Sequence, residues 1–222
     1  MNAMTPEPAT PAAFVPVAFV KAPMREDAAR ADLYALLSRL FYTGPDEALL
    51  RAIPAAQALI EAADTAAAES ELSKTWTALC DAAKTADATA ATLEYDQIFV
   101  GTGKAPISIY ASHYLTGSFK EQTLVNLRDE LQRVGLQRRG GATEPEDHLA
   151  GLLDVMRHLI MRGDSDENVA AQTSFFNSYL KPWYATFAVD VMKMPSASFY
   201  RLVAAFMKSY FDIEVESFDW TV

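Results

Sequence analysis

A chain of 222 residues, half of them apolar, can bury roughly 70% of the surface its unfolded form exposes, so it needs neither disulfides nor a metal to fold. Nineteen Lys and Arg against 29 Asp and Glu give a formal charge of -10, the wrong sign for steering toward phosphate backbones. Nucleic acid is therefore not an expected partner, whereas a basic peptide suits the charge. The single cysteine, Cys80, cannot form an internal disulfide and fits a reducing, cytoplasmic compartment.

Residues 1–24 hold Pro6, Pro8, Pro11, Pro16 and Pro23 among alanines. Proline removes amide donors and blocks helix continuation, so this stretch reads as a flexible Pro/Ala-rich tail. Pro16 also interrupts the longest apolar run, Ala12 to Val20, leaving it short of the ~18 to 20 residues that cross a bilayer. With its first Lys only at Lys21, it is a poor secretory signal. From Arg25, Leu33, Leu36, Leu37, Leu40 and Phe41 follow the spacing of one buried helix face. Thr43-Gly44-Pro45 stops that helix; Pro45 then suits the first turn of a second helix, with Thr43 and Asp46 as a capping pair and Pro54 dividing it in two. A third run carries Leu72, Trp76, Leu79, Cys80 and Ala83.

Asp87 is placed to cap a helix bearing Ala91, Tyr95, Ile98 and Phe99, which Gly101 ends. Ser108 to Leu115 reads as a short helix. Leu124, Leu127, Leu131 and Val134 form another face, closed by Gly135-Leu136 in the manner of a Schellman stop. Residues 137–142 contain Arg138, Arg139, Gly140 and Gly141 and form the strongest internal linker signal, a possible hinge for a domain-swapped dimer as an alternative to a monomer. Thr143 and Glu146 then read as a capping box for a helix with Leu149, Leu152, Leu153, Met156 and Ile160 inward. Helices around Val169 to Leu180, Pro182 to Val191 and Ser198 to Phe211 come next, and residues 212–222 read as an acidic tail. Without period-2 alternation or hairpin turns in the body of the chain, the expected fold is all-α: a single compact multi-helix bundle over residues 25–211.

Catalytic motifs do not survive inspection. Gly101-Thr102-Gly103-Lys104 suggests a phosphate loop, but Ile98 stands where that motif needs Gly and Ala105 where it needs Ser or Thr. Glu-x-x-His iron ligation fails because Pro145 and Val155 stand three residues before His148 and His158. Neither cofactor nor metal is expected. If a helix runs from Thr143, Asp147 falls opposite its apolar stripe, toward solvent or a partner, and His148 at a groove edge. Glu144, Glu146 and Asp147 also suit the positive end of any helix starting there.

At these residues the sequence resembles the TorD/DmsD/NarJ family of molybdoenzyme chaperones, the redox enzyme maturation proteins. The resemblance rests on Tyr95, Ile98, Phe99 and Gly101; on Ala105 and Pro106 with Tyr110, Ser112, Tyr114 and Leu115; and on Glu144, Asp147, His148 and Leu149. It departs at Thr102 and Ile107, where proline is usual. The resemblance implies a TorD-like helical bundle and a non-enzymatic chaperone. Its partners would be the twin-arginine leader and apo catalytic subunit of a molybdoenzyme, such as a formate dehydrogenase or a sulfoxide or amine-oxide reductase, with export delayed while the cofactor is inserted. It also implies a peptide-binding set of Tyr95, Phe99, Tyr110, Ser112, Tyr114, Glu144, Asp147 and His148.

Energetics shape how such a site must work. Micromolar affinity needs about 8 kcal/mol, and exposed ion pairs with arginines supply only about 0.2 to 1 kcal/mol each. An apolar groove must therefore bury the apolar part of the leader, with acids setting register. Tyr95, Ile98 and Phe99 share one stripe and suit core packing as well as groove lining. On this reading Asp147→Ala weakens leader binding modestly and Phe99→Ala more. The rival expectation is a helical-bundle metal or cofactor enzyme using His148, Asp154 and His158.

Overall fold

A computed structural model describes residues 25–56, 70–115, 120–137 and 144–219. The expected N-terminal tail and the 137–142 linker beyond Gln137 lie outside the described residues. Within them run ten α-helices: α1 (Arg25–Tyr42), α2 (Glu47–Ala55), α3 (Glu71–Thr85), α4 (Ala88–Tyr95), α5 (Ala111–Leu115), α6 (Lys120–Arg133), α7 (Leu149–Met161), α8 (Asp166–Tyr179), α9 (Tyr184–Lys193) and α10 (Phe199–Asp219), with a π-helical turn, Asp96–Val100, after α4. Among the described residues there is no strand, and one isolated antiparallel bridge joins Tyr110 and His148. The all-α expectation holds.

The apolar stripes meet as the periodicity predicts. Leu33, Leu37, Leu40 and Phe41 of α1 are fully buried, and α1 packs chiefly along α7, whose Leu152, Leu153, Met156 and Ile160 face it in the core. The long α10 packs on α9 and α3. Asp87 caps α4 as expected, its Oδ1 accepting from Ala90 N at 2.7 Å. Gly135, with φ 77°, closes α6 with a Leu136 N–H donated to Leu131 O at 2.8 Å, the six-to-one bond of a Schellman stop.

Away from the site, the N-terminus of α2 and the C-terminal end of the bundle differ from the sequence reading. Asp46 is itself the N-cap of α2, accepting from Leu49 N at 2.7 Å, so Pro45 sits outside the helix. Pro54 falls in the last turn of α2; the second helical piece expected after it would fall on residues 57–69, which lie outside the described residues. The stretch expected as an acidic tail is instead helix as far as Asp219. Phe211, Glu214 and Phe218 continue one inward stripe at i, i+3, i+7, and Glu214 and Phe218 are 2% and 3% exposed. Glu214 can be buried because Arg30 of α1 donates to it from Nε and Nη2, both at 2.9 Å, with Tyr34 Oη also at 2.9 Å.

Glu94, in the last turn of α4, serves α10 in another way. Its carboxylate accepts from the Ser198, Phe199 and Tyr200 backbone N–H groups at 2.8, 3.1 and 2.8 Å, satisfying donors that a helix N-terminus leaves without partners.

Candidate functional site

The two stretches that carry the family resemblance meet in space. Ala111 N donates to Asp147 O at 2.9 Å and Leu149 N to Ile109 O at 3.0 Å, pinning 109–111 antiparallel to 147–149. This pairing keeps Ser108 to Tyr110 out of helix, so α5 begins only at Ala111. It also delays α7 until Leu149, with His148 rather than Thr143 as the cap.

That late start corrects the placement of Asp147. The helical projection from Thr143 does not apply to residues outside the helix, and Asp147 is 1% exposed rather than solvent-facing. Its Oδ2 accepts from Ser112 N at 3.0 Å, holding the buried start of α5. Thr143, one half of the expected capping box, lies outside the described residues; Glu146, the other half, accepts from Arg128 Nε and Nη2, both at 3.0 Å.

His148 is 5% exposed, and its Nδ1 accepts from Ala150 N at 3.2 Å, so the neutral ring carries its proton on Nε2. Its ring meets Tyr110 and Tyr42 edge-on at 5.2 and 6.3 Å. Burial lowers its pKa from the ordinary 6.5 despite the opposing pull of Glu144 and Asp147. As pH falls through the ordinary value, the unfolded chain takes up this proton first. Stability is therefore full above that range and declines toward the depressed folded value. Urea midpoints are expected to fall between pH about 7.5 and about 5.5. His148→Asn, which keeps a cap acceptor, should flatten that decline; an unchanged pH slope in this variant would contradict the assignment.

Tyr110 is half-buried, and its hydroxyl donates to the Glu144 carboxylate; burial first, then this bond, raises the phenol's pKa. Tyr114 stacks on Trp183 with centroids 4.9 Å apart and donates to Ser108 O at 3.0 Å; burial lifts its pKa to about 12. Tyr95 and Phe99 are 6% and 5% exposed and belong to an aromatic core with Phe41 and Tyr200. Tyr95 Oη donates to the Phe41 and Tyr42 carbonyls at 3.2 and 3.0 Å, capping the C-terminus of α1. These two aromatics are core residues, and neither is among those that line the open groove.

What opens to solvent is a groove of about 760 Å³ between the C-terminal end of α1, the end of α6 and the outer face of α7. Its apolar surface comes from Tyr42, Leu131, Leu136, Pro145, Ala150 and Val155, and carboxylates stand along it at Glu144, Glu146 and Asp154. Ser38, on the α1 wall, donates to Ala150 O at 3.0 Å, locking α1 to α7 beneath the groove. Of the expected site residues, Glu144 and His148 line it, while Tyr110, Ser112 and Asp147 stand directly behind them. The α1 and α6 contributions carry no motif in the sequence. For α1 the one signal was Tyr42, a large aromatic just off the end of the apolar stripe, which the fold leaves 57% exposed; nothing marked the α6 contribution.

The rival's residues, His148, Asp154 and His158, also line this groove. Among the described residues, however, no group of three or more His, Cys, Asp or Glu is arranged to hold a metal ion, so the metal-enzyme reading gains no support. No helix among the described residues is long and apolar enough to cross a membrane.

The model of the nitrate reductase delta subunit family matches residues 65–189. A TorD chaperone from Shewanella sp. (strain ANA-3) is 31% identical over 180 residues, covering 76% of this chain and 82% of that protein. One from Aliivibrio salmonicida is 26% identical over 132 residues, covering 55% of this chain and 61% of its own length. In fold, the chain is similar to a candidate redox enzyme maturation protein from Archaeoglobus fulgidus, at a TM-score of 0.53 and 20% identity, with 88% of this chain and 98% of that one covered. A family match across more than half of the chain, the helical bundle, and the two motif stretches joined at one groove agree: this chain belongs to the TorD/NarJ family of chaperones.

Proposed function

We propose that this protein is a cytoplasmic, non-catalytic chaperone that captures the twin-arginine leader of a molybdoenzyme's apo catalytic subunit in the groove between α1, α6 and α7. The observation that carries the reading is the groove itself, an open apolar trough bordered by carboxylates on a chain whose net charge is -10. Its volume of about 760 Å³ is that of a pocket for a short segment rather than a whole leader, so it fits the junction between the arginines and the apolar stretch that comes after them. Tyr42 supplies amphipathic contact surface, and Glu144, steadied by Tyr110, meets a guanidinium. In this reading Asp147, Ser112 and Tyr110 position Glu144 and His148, and Tyr95, Phe99 and Tyr114 support the wall behind them.

Calorimetry with a synthetic peptide carrying two consecutive arginines before an apolar stretch tests this. The wild-type chain is expected to bind it. Tyr42→Ala should weaken binding by about 1 to 2 kcal/mol, as for a central aromatic contact, and Glu144→Gln by no more than about 1 kcal/mol. A wild-type chain that binds no such peptide, or binds a version with both arginines changed to glutamine equally well, would overturn the proposal.

A further inference from the structure

Gly151 lies within α7, on the groove, and nothing in the fold calls for glycine there. It is not among the glycines with positive φ. A Cβ added to it would meet only the Glu146 carbonyl oxygen, at 3.4 Å, an ordinary contact. Gly151 is the third residue of α7, and a glycine with helical backbone costs stability relative to alanine, so the bare position weakens the first turn of α7 without relieving any clash. What it does provide is space: the helix backbone is uncovered at this point in the groove. Asp154 lies three residues later, about 4.5 Å further along the axis and on nearly the same side. It is exposed, and no hydrogen bond or ion pair engages it among the described residues. Glu146, by contrast, is already held by Arg128 on both oxygens.

We propose that the guest peptide crosses α7 at Gly151, its extended backbone lying against the bare helix there while one of its guanidinium groups rests on Asp154. The inference rests on the leader-binding reading and deepens it by fixing where and in what register the guest lies. Gly151 is on this account a specificity-determining position: a side chain there fills the space that the guest backbone needs, although the chaperone's own fold would accept it. Stability and binding are thus set against each other at a single residue.

The test uses the full-length chain, the same arginine-containing peptide, calorimetry for binding and urea unfolding for stability. Gly151→Ala should unfold at higher urea than wild type yet bind roughly fivefold more weakly, and Gly151→Leu should bind roughly fiftyfold more weakly while remaining folded. Asp154→Asn should weaken the arginine peptide roughly threefold and leave binding of its double-glutamine version unchanged. Arg157→Ala, exposed on the same helix but outside the groove, should alter neither. Wild-type affinity in Gly151→Leu, or in a stabilised Gly151→Ala should the leucine variant not fold, removes the crossing point while leaving the leader reading intact. Failure of the wild-type chain to bind the peptide removes both.

Discussion

Arg30→Ala is expected to lower the unfolding free energy by about 3 kcal/mol, the cost of stranding one member of a buried ion pair. Glu214 is 2% exposed and takes two of its hydrogen bonds from the Arg30 guanidinium. Without them its charge keeps only the Tyr34 hydroxyl, whose pKa burial and then Glu214 itself push well above the ordinary phenol value, so it remains a neutral donor. The loss should sit at the low end of the range for buried pairs because about a quarter of the Arg30 side chain stays exposed, 24%. Arg30 also covers the Phe218 ring at 5.7 Å, so packing is lost along with charge. Arg51→Ala is the control, since its pair with Glu47 leaves both side chains more than 70% exposed and should cost no more than about 0.5 kcal/mol. Replacing both buried partners, Arg30→Met with Glu214→Leu, should recover most of the stability. Urea unfolding of these variants beside the wild type decides it; equal losses for Arg30→Ala and Arg51→Ala would show that the α1–α10 clamp contributes little.

Phe99→Ala is expected to cost about 3 to 5 kcal/mol, the range for emptying a buried aromatic site. The ring lies 5.2 to 6.0 Å from those of Tyr95, Tyr200, Phe187 and Phe41, so its removal opens a cavity between α1, the π-helical turn, α9 and α10. The sequence reading expected this substitution to impair the leader site directly. Given its place in the core, the expected result is different: the variant loses binding only in proportion to the fraction unfolded. Phe99→Leu, which keeps most of the volume, should bind the arginine peptide with wild-type affinity. A Phe99→Leu chain that is folded and yet fails to bind would return Phe99 to the contact surface.

The sequence exposed the stripes that make the bundle because burial repeats every three to four residues and needs no knowledge of distant partners. Leu33, Leu37 and Phe41, or Leu149, Leu153 and Ile160, are legible for that reason. Glu214 was not: a carboxylate on an inward stripe looks like the end of a core until Arg30, 184 positions away, is known to face it. Asp147 was misplaced because its orientation depends on where α7 begins, and that start is set by pairing with 109–111, a contact no local pattern announces. The two motif stretches pair at 109–111 and 147–149. Burial of Tyr95 was not readable, since a tyrosine that caps α1 and one that faces solvent have the same chemistry.

The single bridge between Tyr110 and His148 also bears on the order in which the molecule folds. It closes a long loop, and such closures come late because chain entropy must be spent before the contact returns anything. The groove needs in addition α1 against α7, a still longer closure, so its mouth is expected to take shape after the local helices. On that order a half-folded copy would have its helices but no groove, and would hold no guest until it is itself complete.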